Sequence, residues 1–149
     1  MRNDLFISHL FSIFVHMKIN DIKKHYIKFN VLFFNNTLVP VSKVKFVSNN
    51  ENSSAGYMYQ CKGTVYEGIY DFAIAFNKEL IHKDSDVQSI LLHEMIHIWQ
   101  YNSIDFDKYD SDYSWESGHD RVFVSEMNSI NMLCELYDYD IKVSLTYNK

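Results

Sequence analysis

The segment HEMIHIWQ, from His93 to Gln100, constrains the fold more than any other part of the chain. It lies within a stretch from Ser85 to Asn102 whose apolar residues recur with helical spacing. At about 100° per residue, His97 falls about 40° from His93 around the helix axis, and Glu94 about 100° from it. We therefore expect a helix that presents two imidazoles and one carboxylate on the same side.

The rest of this helix predicts how it is anchored. Ser85 followed three residues later by Gln88 matches a capping box, which predicts where the helix begins. An apolar face covers the side away from the histidines and is expected to pack against the core. The residues of that face are Leu91, Leu92, Met95, Ile96, Ile98 and Trp99.

Regular patterns elsewhere predict two more helices and a small sheet. Helical periodicity runs from Asn20 to Phe34, behind an Asn20/Asp21 cap and ahead of the turn NNTLVP. A second capping box, Ser117 with Asp120, precedes another helical pattern. Alternating or apolar runs predict three short strands, VSKVKFVS, AGYMYQC and YDFAIAFN, and the closing IKVSLTY is a candidate edge strand.

The order of these elements differs from the regular alternation of a parallel, doubly wound fold. We expect an α+β fold, with a mixed or antiparallel sheet of three to four strands. An N-terminal helix, the HExxH helix and a following helix would pack with it. The 149 residues fit one domain. We assign residues 18–149 to that domain and residues 1–17 to an N-terminal extension.

Composition excludes several classes of protein. Apolar residues make up 47% of the chain and charged residues 22%, as in globular proteins. A net charge of -5 argues against a domain that works mainly by gripping nucleic-acid phosphates. Two cysteines, Cys61 and Cys134, provide no disulfide framework. We therefore expect an intracellular protein, cytoplasmic or nuclear, that is neither secreted nor bound to a membrane.

Histidine spacing points to a metal. Catalytic zinc takes three protein ligands and keeps a further position for water or substrate. The segment WESGHD provides candidates for the third ligand, and from spacing alone we favour His119 with Glu116 as the alternative. Glu94 would then act as the general base on a metal-activated water. Glu126, seven residues after His119, is a candidate to orient one of the imidazoles.

An oxyanion formed during such a reaction would also need a partner. Tyr57, Tyr113 and Arg121 are candidates, and the sequence does not choose among them.

Four motifs in order resemble the SprT-like zinc metalloprotease domain of the Spartan/SprT family: FNVLFFNNTLVPV, SSAGYMYQ, LLHEMIHIWQ and GHDRVFVSEMNSIN. The resemblance covers roughly Ile19 to Tyr147. It implies a zincin-like fold, one catalytic Zn²⁺ held by His93, His97 and His119, and Glu94 as the catalytic acid/base. Family members commonly have glycine where this chain has Asp120.

The resemblance also bears on partners. It implies a protein or peptide substrate, and by analogy alone it suggests DNA as a partner and DNA-associated or DNA-crosslinked proteins as substrates. The leading hypothesis is therefore a zinc-dependent metallopeptidase. The alternative is a catalytically weak metal-binding interaction domain or DNA-associated adaptor, against which the intact Glu94 argues.

Overall fold

A computed structural model describes residues 17–48, 56–66, 69–103 and 119–146. A 3-10 turn, Lys78–Leu80, leads from the last strand into the second helix. The expected α+β class is confirmed. The elements in chain order are α1 (Ile19–Phe34), β1 (Val41–Val47), β2 (Gly56–Tyr66), β3 (Ile69–Asn77), α2 (Asp84–Ser103) and α3 (Arg121–Leu136).

Strand β3 is the centre of the described sheet, whose order is β1-β3-β2. β1 pairs with it in parallel, with Val44 opposite Ile74, and β2 pairs antiparallel, with Gly56 opposite Phe76. All five residues from Phe72 to Phe76 are buried, so both faces of this strand are covered. Because β2 pairs only with β3 in this order, it is an edge strand among the described strands.

Helix α2 lies at the centre of the helical layer and contacts α1, α3, β2 and β3. Every residue from Ser89 to Ile96 is buried. The predicted apolar face does pack into the core, although Trp99 is only partly buried. The side that carries the histidines is enclosed as well. An apolar stripe predicts only the face that packs on the core, whereas here neighbouring elements cover the polar side too.

Helix α1 begins one residue earlier than predicted. Lys18 is the N-cap residue, and its backbone N–H donates to Oδ2 of Asp21 at 3.0 Å. The Asn20/Asp21 cap was therefore wrong in position, although the Asp21 carboxylate does serve the helix N-terminus, where negative charge is favoured. The predicted turn ends the helix, with Asn35 and Asn36 both in the left-handed conformation that asparagine tolerates.

The predicted capping box of α2 is wrong. The helix begins at Asp84, so Ser85 lies inside its first turn, where its carbonyl accepts from the Ser89 hydroxyl at 2.9 Å. Asp86 supplies the side chain that caps the helix start instead. Its Oδ2 accepts from the backbone N–H groups of His82 and Lys83 at 3.0 and 3.2 Å. A carboxylate in the first helical turn satisfies free N–H groups and complements the helix dipole.

The closing segment IKVSLTY is not an edge strand: its described residues, 141–146, have an irregular conformation. Side chains satisfy its backbone where a strand partner would. Asn131 on α3 accepts from the N–H of Val143 at 2.7 Å and donates to its carbonyl at 2.9 Å. The Ser89 hydroxyl on α2 accepts from the N–H of Lys142 at 3.3 Å. The segment is thereby fixed against two helices.

Candidate metal centre

Helix α2 delivers two imidazoles and a carboxylate to one enclosed place. His93 and His97 are four residues apart, so their side chains lie on the same face, one turn apart. His93 is 6% exposed and Glu94 is 5% exposed. Charged side chains are rarely buried to this extent without a specific partner. The burial of this pair therefore indicates a functional arrangement.

His119 arrives from the start of the next helix. Asp120 is the N-cap of α3, with its side chain accepting from the Phe123 N–H at 2.9 Å, and His119 directly precedes it. The sequence pattern predicts Ser117 at the N-cap of this helix and Asp120 three residues later in the same capping box. In the structure Asp120 is the N-cap residue, and Ser117 lies outside the described residues. The cap fixes where the chain turns into α3, and with it the backbone beside His119.

The three imidazoles converge through their Nε2 atoms. Nε2 of His93 lies 3.0 Å from Nε2 of His119 and 3.3 Å from Nε2 of His97. One nitrogen from each ring falls within 4.8 Å of the others, which makes this a group that could hold a metal ion. Nitrogen ligands about 2.0–2.1 Å from a tetrahedral zinc lie about 3.3 Å apart. The spacing around His93 therefore fits such an ion.

Phe123 supports all three rings. Its ring centroid lies 4.6 Å from that of His97, 4.8 Å from His119 and 4.9 Å from His93. The side chain is fully buried. Phe123 belongs to the hydrophobic core, and this part of the core is also the apolar wall of the histidine cluster. Such a wall limits the orientations that the rings can adopt.

A backbone carbonyl orients His93. Nδ1 of this imidazole lies 2.6 Å from the carbonyl oxygen of Ser144, in the closing segment. A carbonyl only accepts, so Nδ1 carries the proton and donates, which leaves the Nε2 lone pair directed at the cluster. A metal-ligating histidine commonly has its second nitrogen held in this way.

The surroundings keep the cluster neutral. Burial lowers the pKa of His93 to about 4, against an opposing effect of the Ser144 carbonyl. Burial, together with the neighbouring imidazoles His93 and His119, lowers the pKa of His97 to about 3. Burial also lowers the pKa of His119. Neutral imidazole is the form that binds a metal, so the donor set suits a cation at neutral pH.

Glu94 lies where β2 begins. A Cβ atom at Gly56 would approach Oε1 of Glu94 to 3.6 Å, and it would meet Cγ2 of Ile90 at 2.6 Å, closer than atoms pack. Glycine is therefore required at this contact, since any side chain would push against the helix that carries the histidines. The edge strand thus runs directly beside the buried carboxylate.

The structure brings the side chains of His93, His97 and His119 together, and Glu94 follows His93 on the same helix. The alternative ligand Glu116 and the candidate Tyr113 lie outside the described residues, as does the side chain of Tyr57. Arg121 is exposed as the first residue of α3. Glu126 is half-buried on the same helix, where burial raises its pKa. The acceptor found on His93 is the Ser144 carbonyl.

Three contributors to the site were missed from the sequence. The Ser144 carbonyl has no side-chain signature, so no pattern could have identified it. Gly56 stood in a quoted motif, but a glycine in a strand has several explanations. Gln100 ends the HEMIHIWQ segment three residues after His97, a spacing that places both side chains on one helix face and could have been recognised.

The α+β domain thus carries three converging imidazoles that could hold a metal ion. The chain belongs to the SprT-like family, whose model matches residues 22–144, more than half of its length. This confirms the resemblance noted in the sequence. Comparison with curated proteins yields no match. Within the described part of the chain, no helix combines the length and apolar character that a membrane span requires.

Proposed function

We propose that the protein is a zinc-dependent metallopeptidase of zincin-like architecture that hydrolyses peptide bonds in a protein substrate. The observation that carries this proposal is that the Nε2 atoms of His97 and His119 lie 3.3 and 3.0 Å from that of His93, which directly precedes the buried Glu94 on α2. Family membership supports the same activity. A domain that only binds a metal does not need a general base on the helix that carries its ligands, and burying that charge costs stability.

In this proposal three histidines bind the metal ion and one glutamate transfers the proton. His93, His97 and His119 would hold Zn²⁺, which supplies a Lewis acid that polarises the scissile carbonyl and acidifies the attacking water. Glu94 accepts the proton of that water and passes it to the leaving amine nitrogen. The enclosed position of Glu94 strengthens its electrostatic effect, because little solvent screens it.

An extended peptide is the substrate form that suits the sheet. β2 is an edge strand among the described strands, and its first residue, Gly56, lies beside Glu94. A peptide that pairs with this edge would pass next to the carboxylate and the imidazoles. Strand addition uses backbone hydrogen bonds for affinity, so it places few demands on the substrate sequence. We propose this mode for the protein substrate.

DNA-associated or DNA-crosslinked proteins are the substrate class that family analogy suggests. The net charge of -5 provides no general attraction to phosphates. DNA would therefore act through the substrate or through a local basic surface. Cleavage assays with and without DNA test this part of the proposal separately from the chemistry.

The central experiment compares the wild type with Glu94→Gln. Zinc content is measured by elemental analysis, and hydrolysis is followed on casein and on the protein itself. We expect one zinc per chain in both proteins, and loss of at least about a hundredfold in rate in the variant, because general-base catalysis typically contributes that much. Glu135→Gln, at an exposed position on α3, is the matched control and should behave as wild type.

Two results would contradict the proposal. Unchanged hydrolysis by Glu94→Gln would remove the carboxylate from the mechanism. Zinc bound by the wild type without cleavage of any substrate, with or without DNA, would favour the metal-binding adaptor.

A further inference from the structure

The Gln100 side chain connects the two helices that carry the histidines. It is 1% exposed, near the end of α2, and its Nε2 donates to Oδ1 of Asp120 at 2.9 Å. The same Oδ1 atom accepts from the Phe123 N–H and so caps α3. A displacement of Gln100 would therefore reach the residue adjacent to His119.

The other end of this amide is unusual. Oε1 of Gln100 is buried and has no hydrogen-bond partner among the described residues. Buried carbonyl oxygens almost always have a donor, so an unsatisfied one needs an explanation. A good acceptor has been placed inside the protein next to the histidine cluster.

His97 is the neighbour that can supply the donor. It precedes Gln100 by three residues, which places both side chains on one face of α2. Nε2 of His97 faces the cluster, so Nδ1 is the nitrogen that remains for a partner outside it.

We propose that Gln100 is a positioning residue for the metal centre: when a metal ion is bound at the Nε2 atoms, Oε1 accepts the Nδ1 proton of His97, while Nε2 of Gln100 fixes Asp120 beside His119. This inference rests on the metal-binding part of the proposed function. One amide thereby sets the orientation of an imidazole on α2 and the approach of the imidazole of His119, which directly precedes the cap of α3. An amide can do both, because it has a donor and an acceptor at the two ends of one rigid group.

The test measures zinc binding by the purified full chain, independently of activity. Zinc affinity is obtained by competition with a chromogenic chelator, and the visible absorption of the Co²⁺-loaded protein reports ligand geometry. Gln100→Met keeps the length and apolar contacts of the side chain but removes both hydrogen bonds. We expect about 10- to 100-fold weaker zinc binding and shifted cobalt bands, the usual effect of losing a group that orients a ligand.

Gln88→Met is the matched control. Gln88 is on the same helix and partly buried, and its Nε2 lies 3.4 Å from Nε2 of His25, a histidine that is not in the cluster. A glutamine with a histidine neighbour is thus removed in both variants. Zinc affinity and the cobalt spectrum should be unchanged in the control, whatever its thermal midpoint without metal.

A paired variant provides a rescue. Gln100→Glu alone replaces the donor to Asp120 with a second carboxylate, which repels that of Asp120, and it should weaken zinc binding. Adding Asp120→Asn returns a donor to the contact, while the new amide oxygen can still accept from the Phe123 N–H. We expect the double variant to recover most of the lost affinity, and this comparison decides the matter if Gln100→Met does not fold.

The outcomes are distinguishable. Wild-type zinc affinity with an unchanged cobalt spectrum in Gln100→Met would overturn the positioning role and leave the proposed function intact. A double variant no better than Gln100→Glu would do the same. Failure of the wild type to bind zinc would overturn the proposed function, and this inference with it.

Discussion

The imidazole of His93 donates from Nδ1 to the carbonyl of Ser144, 2.6 Å away and 51 residues later in the chain. The closing segment is therefore part of the histidine cluster, although it contributes no side chain to it. Asn131 fixes this segment through both backbone groups of Val143. A long-range contact thus determines the orientation of a residue that the local motif supplies.

Asn131→Ala should loosen the support of His93. It removes two hydrogen bonds of 2.7 and 2.9 Å and leaves the Val143 backbone without its partners. We expect a loss of about 1–3 kcal/mol in the free energy of unfolding of the metal-free protein. We also expect weaker zinc binding, because the Ser144 carbonyl is no longer held in place. Chemical denaturation and zinc titration measure the two effects.

Asn30→Ala is a closely matched control for this variant. Asn30 accepts from the N–H of Leu38 and donates to its carbonyl, both at 3.1 Å, so it holds a backbone segment in the same manner. The loss of stability should be similar, whereas zinc affinity per folded molecule should stay at the wild-type value. Equal zinc affinities in the two variants would show that the closing segment does not position His93.

Gly56→Ala should destabilise the protein and disturb Glu94. The added methyl group would lie 2.6 Å from Cγ2 of Ile90 and 3.1 Å from the carbonyl oxygen of Ala75. Overpacking of this kind typically costs about 1–3 kcal/mol. Thermal unfolding and hydrolysis rates should both decline. In an Ile90→Leu background, which lacks the Cγ2 methyl, the stability penalty should be smaller; an equal penalty would place the clash elsewhere.

Stability of the metal-free protein should fall as the pH is lowered from 6.5. The folded-state pKa values of His93 and His97 are about 4 and about 3, below the 6.5 expected in the unfolded chain. Between these values the unfolded chain binds more protons, so acid favours unfolding, by up to about 1.4 kcal/mol per pH unit for each imidazole. The effect fades above pH 6.5 and is nearly absent about one pH unit higher, where both states hold neutral imidazoles.

Denaturant titrations between pH 7.5 and 5.5 measure this dependence. His97→Gln should flatten it, because one of the two imidazoles is gone. A metal-free wild type with constant stability over this range would contradict the prediction.

Zinc should stabilise the folded protein, and His119 should be required for this. At a free zinc concentration 100 times the dissociation constant, the gain is about 2.7 kcal/mol if only the folded state binds. His119→Ala removes one of three donors, so we expect most of the gain to disappear. Thermal midpoints with zinc and with a chelator give the comparison. The metal-free midpoints should be similar, because His119 is only partly buried. Full zinc stabilisation of the variant would exclude His119 as a ligand.

The bounds of α1 and α2 could be predicted to within one residue, whereas the predicted cap of α3, Ser117, lies three residues before the observed cap, Asp120. The periodicity of α1 and α2 follows from side chains that must face the core every three or four residues. Which residue caps each helix depends on where the preceding chain runs. For that reason Lys18 rather than Asn20 caps α1, and Asp86 rather than Ser85 serves the start of α2.

The closing IKVSLTY segment shows a different limit. Its alternation of apolar and polar residues suits a strand, but the Asn131 side chain satisfies the backbone of Val143 without one. An alternating pattern indicates that every second side chain is buried. It does not indicate which groups the backbone hydrogen-bonds to, since a side-chain amide can replace a strand partner.

By itself, the sequence determined the chemistry available on α2: two imidazoles four residues apart with a carboxylate between them share a helix face because helix geometry is local. Spacing also made His119 the favoured third donor. The tertiary structure alone decided that the three Nε2 atoms meet, that a distant carbonyl orients His93, and that glycine is needed beside Glu94. These relationships join residues far apart in the chain, so they depend on how whole elements pack.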